Sequence, residues 1–161
     1  MAGNKNLKKK LEDIRKQKMV SQKIVKLSDF RKIKKQSQSK TVLVVDDDPI
    51  MRSALNRILD KKGYDVKLAA DGFELSEQLE VGQVDLILLD VNLPWVDGYE
   101  ICSVVKDNPL LSDIPIVFVS ARSTDSDIKK GYDAGGTDYV AKPFDVDQMT
   151  ELVSSILMKS A

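Results

Sequence analysis

The 161-residue chain contains no histidine. Histidine is the side chain that most often transfers protons near neutral pH, and it is a common metal ligand. Its absence excludes Ser-His-Asp and Cys-His catalysis, histidine-ligated zinc and a histidine phosphoryl carrier within this chain. Any chemistry must therefore use carboxylates, hydroxyls and amines.

Cysteine and long apolar runs are also scarce. The single cysteine, Cys102, cannot form an intramolecular disulfide, which is typical of proteins in a reducing compartment. No apolar run approaches the ~20 residues that a membrane-spanning helix needs. The lysine-rich N-terminus lacks the apolar segment of a signal peptide. We therefore expect a cytoplasmic protein with no membrane span.

Charge is divided unevenly along the chain. The sequence holds 25 Lys and Arg and 25 Asp and Glu, so its net charge is zero. Residues 1–40 contain 14 of these bases but only three of the acids, which leaves 11 bases and 22 acids for residues 41–161. A polar segment, 36–40, ends where Thr41 opens a β-branched run. We predict a basic N-terminal arm over 1–40 and an acidic domain over 41–161.

Hydrophobic periodicity predicts five strand–helix units in the acidic domain. The runs TVLVV, VDLILL and IPIVFV are typical of strands buried on both faces. The predicted strands are 41–45, 64–69, 84–89, 114–119 and 137–141. The predicted helices run from Pro49 to a stop at Gly63, then over 71–81, 97–108, 125–134 and 145–158. This alternation predicts an α/β fold with a doubly wound, five-stranded parallel sheet of flavodoxin-like order 2-1-3-4-5.

Polar side chains that follow the predicted strands suggest a site. Asp46 and Asp47 follow strand 1, Asp90 follows strand 3, Ser120 follows strand 4 and Lys142 follows strand 5. Ligands bind at the carboxyl ends of the strands in such sheets, near the switch between strands 1 and 3. Crowded carboxylates are stabilised by a cation, and oxygen ligands suit Mg²⁺. Together with the amine and the hydroxyl, they predict a site for a phosphoryl group beside Mg²⁺, with a carboxylate as acceptor.

Four motifs in order then point to a known family. They are VLVVDDDP (42–49), LILLDVNLPWVDGYE (86–100), IVFVSA (116–121) and GGTDYVAKPF (135–144). Residues 41–161 resemble the receiver (CheY-like) domain of bacterial two-component response regulators. Leu93 and Gly136 depart slightly from that pattern, since Met and Ala are commoner at these positions.

The resemblance implies roles for individual residues. Asp90 would accept the phosphoryl group, Lys142 would contact it, and the Lys142–Pro143 peptide would be cis. Ser120 and Tyr139 would act as the switch hydroxyl and switch aromatic. The implied Mg²⁺ ligands are Asp46, Asp47, Asp90 and the backbone carbonyl of Asn92. Activation would change a protein-binding face made by the helix at 125–134, the strand at 137–141 and the helix at 145–158.

An enzyme is the main alternative. Haloacid-dehalogenase-type phosphatases also use an aspartyl nucleophile, a Ser or Thr, a Lys and Mg²⁺, and the Asp46–Asp48 string resembles their D-x-D motif. However, Ile50 stands where Thr or Val is usual in that motif, and the chain is too short to add a cap domain. We therefore expect a phosphoacceptor that dephosphorylates itself and is not a turnover enzyme.

The resemblance also implies partners. The chain ends with its last predicted helix, so we expect a stand-alone receiver. Because it has no histidine, its phosphoryl group must come from a histidine kinase, a phosphotransfer protein or a small phosphodonor. The downstream protein would bind the switched face.

The basic arm leaves several interpretations open. Leu7, Leu11 and Ile14 share one helical face, while Val20, Ile24 and Leu27 follow another phase, so we expect two short or transient helices. A disordered tether, a segment that binds a polyanion such as nucleic acid, and docking onto the acidic domain all remain possible. A membrane surface is less favoured because Phe30 is the only aromatic residue in the arm.

Overall fold

The structure, a computed structural model, describes residues 2–22 and 39–159, with side chains from residue 3 to 17 and from 39 to 159. Its helices are α1 (Ala2–Gln22), α2 (Pro49–Lys61), α3 (Gly72–Val81), α4 (Gly98–Asp107), α5 (Asp125–Asp133) and α6 (Val146–Lys159). Its strands are β1 (Thr41–Val45), β2 (Asp65–Ala69), β3 (Leu86–Leu89), β4 (Ile116–Ser120) and β5 (Asp138–Ala141). Within the described ranges, no helix combines the length and apolar character needed to cross a bilayer.

The five strands form one parallel sheet in the order β2-β1-β3-β4-β5. This confirms the predicted flavodoxin-like fold. β1 and β3 are neighbours in register, with Val45 opposite Leu89. The residues that follow these two strands, Asp46 and Asp90, therefore leave the sheet side by side.

Alternation along the strands divides the core into two layers. Leu43, Ile87 and Phe118 face α3 and α4, whereas Val44, Leu88 and Val117 face α2 and α6. Every residue of β3 and β4 is buried. Strands that are covered on both faces must be apolar at every position, which explains the continuous runs in the sequence.

Acidic side chains begin several helices, as predicted. Asp48, Asp71 and Asp97 accept hydrogen bonds from the backbone N–H groups of Ile50, Glu74 and Glu100. Asp145 accepts one from Gln148. These contacts satisfy free N–H groups of the first helical turn.

The predicted strands are placed correctly, but four of them begin too early. The observed strands start one or two residues after the predicted starts, β2 at Asp65, β3 at Leu86, β4 at Ile116 and β5 at Asp138. Val84 shows the reason. It is 4% exposed and belongs to the core cluster without being part of β3. Its apolar character reflects packing, and strand pairing starts only two residues later.

The expectation of two short helices in the arm is wrong for the part that the structure describes. One helix, α1, runs continuously from Ala2 to Gln22, so it does not break where the hydrophobic phase changes. Leu7, Leu11 and Ile14 do share a face, and all three are buried against the core layer of α3 and α4. The tether interpretation therefore does not hold for this helix. Ile24 and Leu27 lie outside the described residues.

Candidate functional site

An acidic cluster lies at the carboxyl ends of β1 and β3. Carboxylate oxygens of Asp46, Asp47 and Asp90 all lie within 4.8 Å of one another. Asp46 and Asp90 are 2% and 6% exposed, while Asp47 is exposed to solvent. The sequence prediction that these acids converge is confirmed, because parallel neighbours in register end at the same edge. Converging carboxylate oxygens fit a hard divalent cation.

Lys142 reaches this cluster from the end of β5, two strands away from β3. Its Nζ donates to Asp46 Oδ2 at 2.6 Å and to Asp90 Oδ2 at 3.2 Å. Burial alone would lower the pKa of Lys142, but its hydrogen bond to Asp46 and the negative charges of Asp90 and Asp46 raise that pKa above its usual value. The ammonium group is therefore held charged between the two buried acids. Sequence reasoning placed Lys142 here but missed its short contact with Asp46.

The pKa of Asp90 is raised above its ordinary value. Burial is the main cause, and the negative charge of Asp46 acts in the same direction. The positive charge of Lys142 and hydrogen bonds from Lys142 and the Asn92 N–H oppose the rise. Asp90 is thus an acid held in a poorly hydrated environment, as expected of a group placed for chemistry.

Backbone contacts fix Asp46 in its position. Its Oδ1 accepts a hydrogen bond from the N–H of Asp48 at 2.9 Å. The Arg52 guanidinium, one turn into α2, donates to the Asp46 carbonyl at 2.7 Å. The same carboxylate thus contacts both the turn that starts α2 and Lys142.

The loop from β3 to α4 closes tightly around Asp90. The N–H of Asn92 points to Asp90 Oδ1 at 3.4 Å, and the N–H of Gly98 donates to the Val91 carbonyl at 2.9 Å. A Cβ atom at Gly98 would lie 2.3 Å from the Asp90 carbonyl oxygen, so only glycine allows this approach. Asn92, whose carbonyl the resemblance implicates in metal binding, is exposed in this loop.

Ser120 is the last residue of β4 and is fully buried. Its Oγ accepts a hydrogen bond from the N–H of Arg122 at 3.2 Å, and its carbonyl accepts one from the N–H of Lys142 at 2.9 Å. Ser120 therefore connects the ends of β4 and β5. The described contacts pair its hydroxyl with the loop after β4 and not with Asp90.

Tyr139 lies half-buried on β5, with its ring stacked 5.7 Å from that of Phe118. Its hydroxyl donates to the Arg122 carbonyl in the loop that also contacts Ser120. Ser120 and Tyr139, the two switch residues implied by the resemblance, thus both contact the loop after β4.

Tyr99 on α4 belongs to this network, and sequence reasoning missed it. Its hydroxyl donates to the Asp127 carbonyl at 3.0 Å and lies 3.3 Å from the hydroxyl of Tyr139. Its ring packs 5.3 Å from Phe118. Burial is the main cause that raises the pKa of Tyr99, and the Tyr139 hydroxyl acts in the same direction. Nothing in the sequence marks Tyr99, since it reaches the network only through the packing of α4.

Two glycines make room for these rings. A Cβ atom at Gly131 would lie 2.8 Å from Tyr139 Cδ2, and one at Gly136 would lie 2.7 Å from Phe118 Cε2. Such distances are too short for a side chain. Gly136 is therefore a position of close packing, which gives a structural reason for this departure from the commoner Ala.

The Lys142–Pro143 peptide is cis, as the resemblance implied. A flavodoxin-like sheet with an acidic cluster and a lysine at its carboxyl edge defines the class of two-component receivers, which accept phosphoryl groups.

Comparison with known proteins leads to the same class. Residues 42–154 match the response regulator receiver domain family, and the chain belongs to that family. The dehalogenase-type alternative is not favoured, because the relatives of this chain are response regulators.

Two curated relatives illustrate the match. The chain is 38% identical over 122 residues to the DNA-binding dual master transcriptional regulator RpaA of Synechocystis, covering 74% of this chain and 49% of RpaA. It is 37% identical over 119 residues to the response regulator MprA of Mycobacterium ulcerans, covering 74% of this chain and 50% of MprA. The chain thus spans about half the length of the curated relatives that it matches.

Solved structures support the fold. A two-component response regulator from Clostridium difficile superposes with a TM-score of 0.70 at 27% identity, over 74% of this chain and 97% of that one. The chemotaxis protein CheY4 of Vibrio cholerae gives a TM-score of 0.69 at 27% identity, over 73% of this chain and 98% of that one.

Proposed function

We propose that Asp90 is the phosphoacceptor of this receiver and that Mg²⁺ is required for the transfer. The observation that supports this most is the convergence of Asp46, Asp47 and Asp90 with the Lys142 ammonium. An oxygen of Asp90 would attack the phosphorus of the donor, and the bond from phosphorus to the leaving group would break. Lys142, 3.2 Å from Asp90 Oδ2, would donate to an oxygen of the transferred group.

The metal would be held by Asp46, Asp47, Asp90 and the Asn92 carbonyl. Oxygen ligands of this kind, with room left for water, suit Mg²⁺. When bound, Mg²⁺ would neutralise negative charge on the acids and on the incoming phosphoryl group. Lys142 alone contributes one positive charge to three carboxylates, which leaves the cluster with an excess of negative charge that favours a cation.

The output of the phosphoryl group would pass through Ser120 and Tyr139. Both contact Arg122 in the loop after β4, so a change at Ser120 can reach Tyr139 through one residue. The face formed by α5, β5 and α6 would then bind the downstream protein. A Ser120→Ala variant should still take up phosphate but lose the response of that partner.

The donor would be a histidine kinase or a phosphotransfer protein, and a small phosphodonor would serve in its place. The protein would dephosphorylate itself and would not turn over a substrate. We place it in the cytoplasm, where a reducing environment keeps the single Cys102 thiol free. Failure to release phosphate from a generic phosphomonoester would agree with this assignment, and steady turnover would favour the phosphatase alternative.

The phosphoacceptor assignment is tested by intact-mass measurement after incubation with acetyl phosphate and Mg²⁺. We expect the mass of one added phosphoryl group, loss of this addition in Asp90→Asn, and its loss when the metal is chelated. Asp60→Asn, which changes an exposed acid on α2, is the matched control and should be phosphorylated normally. Phosphorylation that persists in Asp90→Asn would refute the assignment.

A second proposed function, nucleic-acid binding, concerns the outer face of α1. Because Leu7, Leu11 and Ile14 are buried, the opposite face is presented to solvent. The exposed basic residues of α1 are Lys5, Lys8, Lys9, Arg15 and Lys16. The DNA-binding description of RpaA belongs to that protein, but it makes nucleic acid the first polyanion to test. Binding would be electrostatic and poorly sequence-specific.

A salt titration with the full chain tests this second function. Affinity for duplex DNA should fall steeply with salt, with a log–log slope of about −0.9 for each phosphate neutralised. The variant Lys5→Gln/Lys8→Gln/Lys9→Gln should bind more weakly and with a shallower slope. A matched triple change at the exposed Lys61, Lys62 and Lys159 should leave both unchanged. Equal effects of the two triple variants, or binding only to anionic vesicles, would refute the proposal.

A further inference from the structure

A continuous surface of α3, α4 and residues 94–96 carries helix α1; we name it the α1 seat. Leu7, Leu11 and Ile14 are 5%, 1% and 1% exposed, and they share one core cluster with Leu75, Leu79, Ile101 and Val104. Isolated helices are marginal in water, so most of the stability of α1 comes from this packing.

Polar contacts give the seat a defined register along α1. The buried Asn108 Nδ2, at the end of α4, donates to the Leu11 carbonyl at 3.0 Å. Asn4 Nδ2 donates to Glu100 Oε2 at 3.1 Å. Because these contacts are separated by two turns of α1, a helix shifted by one residue would lose both.

Lys10 adds contacts with α3. Its Nζ lies 3.7 Å from Glu77 Oε1 and 5.6 Å from the centre of the Phe73 ring. The seat therefore recognises α1 by apolar packing, a buried amide and charge. Such a set of contacts is specific to one helix in one orientation.

The first turn of α1 reaches the loop that follows the phosphoacceptor. A Cβ atom at Gly3 would lie 3.1 Å from Val96 Cγ2 and 3.6 Å from Trp95 Cβ. The remaining cavity between this turn, Phe73 and residues 94–96 is only about 10 Å³. Trp95 itself has a φ of +66°, a left-handed conformation that is uncommon for a residue with a side chain.

This contact between α1 and Trp95 lies close to Asp90 along the chain. Trp95 follows Asp90 by five residues, and the loop between them is tied by hydrogen bonds from Val96 to the Pro94 carbonyl and from Gly98 to the Val91 carbonyl. Close packing of Gly98 on the Asp90 carbonyl leaves little freedom at the base of the loop. Residues 94–96, which form the edge of the seat, are thus joined to Asp90 by one short, hydrogen-bonded loop.

We propose that the α1 seat is a regulated docking surface, and that phosphorylation of Asp90 weakens the docking of α1. In this structure the loop packs closely against the first turn of α1 and leaves a cavity of only about 10 Å³. New bonds from a phosphoryl group and its metal to residues 90–92 would move the loop away from that fit. Because coupling is reciprocal, docked α1 must disfavour the phosphorylated conformation by the same factor. This inference rests on the proposed phosphoacceptor role of Asp90.

Amide hydrogen exchange on the full chain measures the coupling. Exchange of residues 5–17 should be slow before phosphorylation and at least about fivefold faster after treatment with acetyl phosphate and Mg²⁺, as is typical of coupled sites. Mass spectrometry on the same samples reports how much of Asp90 carries phosphate. Unchanged exchange in fully phosphorylated protein would overturn the coupling and leave the phosphoacceptor role intact. Slower exchange would also overturn it, because the sign would be opposite.

Seat variants test the reverse direction. Leu11→Gln/Ile14→Gln should release α1 and raise the affinity for beryllofluoride with Mg²⁺, a phosphoryl mimic, at least about fivefold. The control Asp13→Asn/Lys16→Gln changes two exposed residues on the other face, keeps the net charge, and should behave as the parent protein. Leu7→Ala is a milder change, so it should also raise the affinity for beryllofluoride but by a smaller factor.

The outcomes separate the two proposals. Equal beryllofluoride affinity in the parent and in both seat variants would overturn the coupling. If neither acetyl phosphate nor beryllofluoride modifies the parent protein at Asp90, the phosphoacceptor role itself fails and the coupling falls with it. If residues 5–17 exchange as fast in the untreated parent as in Leu11→Gln/Ile14→Gln, α1 is not docked and the seat is refuted.

Discussion

The loop of residues 91–97 connects the carboxyl edge of the sheet to the α1 seat, yet the two regions are built differently. At the edge, Asp46, Asp90 and Lys142 are polar groups held in a poorly hydrated place, and burial raises the pKa of Asp90. In the seat, apolar side chains of α1 belong to the same core cluster as those of α3 and α4. Burying charged groups at the edge costs free energy unless their charges balance. Burying apolar side chains in the seat lowers the free energy without any such balance.

The comparison predicts that removing one charge at the edge has the largest effect. Lys142→Met leaves Asp46 and Asp90 crowded without their shared cation, so we expect a loss of about 3 kcal/mol in the free energy of unfolding without metal. Lys129→Met is the matched control, since Lys129 pairs with Asp133 at the same 2.6 Å distance on the exposed surface. That control should lose less than about 1 kcal/mol. Urea unfolding measures both losses in the free energy of unfolding, and similar losses in the two variants would contradict the prediction.

The Lys142→Met variant also tests whether a metal binds at the carboxyl edge. Adding Mg²⁺ should restore more stability to Lys142→Met than to the parent protein, because the cation would replace the missing ammonium group among the carboxylates. The same titration with Ca²⁺ and with Na⁺ at equal ionic strength separates specific binding from screening. Equal stabilisation by all three salts would argue against a metal site at this edge.

A truncation in the seat should act locally. Leu11→Ala removes a buried side chain, which costs about 2 kcal/mol or more at a packed site. We expect this cost to appear as faster amide exchange in residues 5–17, while the denaturant midpoint of the sheet domain changes little. Lys9→Ala, on the exposed face of α1, is the control and should leave exchange unchanged. A large fall in the midpoint with Leu11→Ala would show that α1 and the domain unfold as one unit.

A smaller effect is expected at the aromatic network of Tyr99, Phe118 and Tyr139. Tyr99→Phe removes a hydroxyl that contacts the Asp127 carbonyl and Tyr139, so we expect a loss of about 1 kcal/mol. The matched control is Tyr132→Phe, whose hydroxyl contacts Asp138 at the exposed surface. NMR signals of the Tyr139 ring should move in the first variant only. Identical spectra in Tyr99→Phe and the parent would show that Tyr99 does not position Tyr139.

The smallest effect concerns Cys102, which lies on the core-facing side of α4 and is fully buried. Burial raises the pKa of its thiol from 9.0 to about 11, against a small opposing effect of Lys106. Its thiolate fraction at pH 8 is therefore lower than that of a free thiol, and alkylation should be negligible in the folded protein. Leu11→Gln/Ile14→Gln should not change this, because Cys102 Sγ points to the Ala134 carbonyl on the far side of α4. Rapid alkylation in that variant would show that release of α1 opens the core.

Predictions from the sequence were correct where the structure depends on local hydrogen bonds or on the order of the strands. The helix starts near Pro49 and Asp97 were predicted correctly, because the caps that fix them, Asp48 and Asp97, need only contacts within one turn. Asp46 and Asp90 were predicted to converge because buried strands 1 and 3 had to be neighbours in a doubly wound sheet. The helix at the N-terminus was predicted only in part, since the apolar face of Leu7 and Leu11 indicated a helix but left docking onto the acidic domain as one of several alternatives.

The sequence by itself determined the succession of strands and helices, the residues at the carboxyl ends of the strands and the excess of bases in residues 1–40 and of acids in residues 41–161. These properties follow from periodicity and from the identity of residues at fixed positions along the chain. Only the tertiary structure decided that Lys142 bonds to Asp46, that Tyr99 meets Tyr139 and that the first turn of α1 touches Trp95. Such contacts join residues far apart in the chain. Their geometry depends on how helices pack across a completed sheet, and no local pattern specifies that packing.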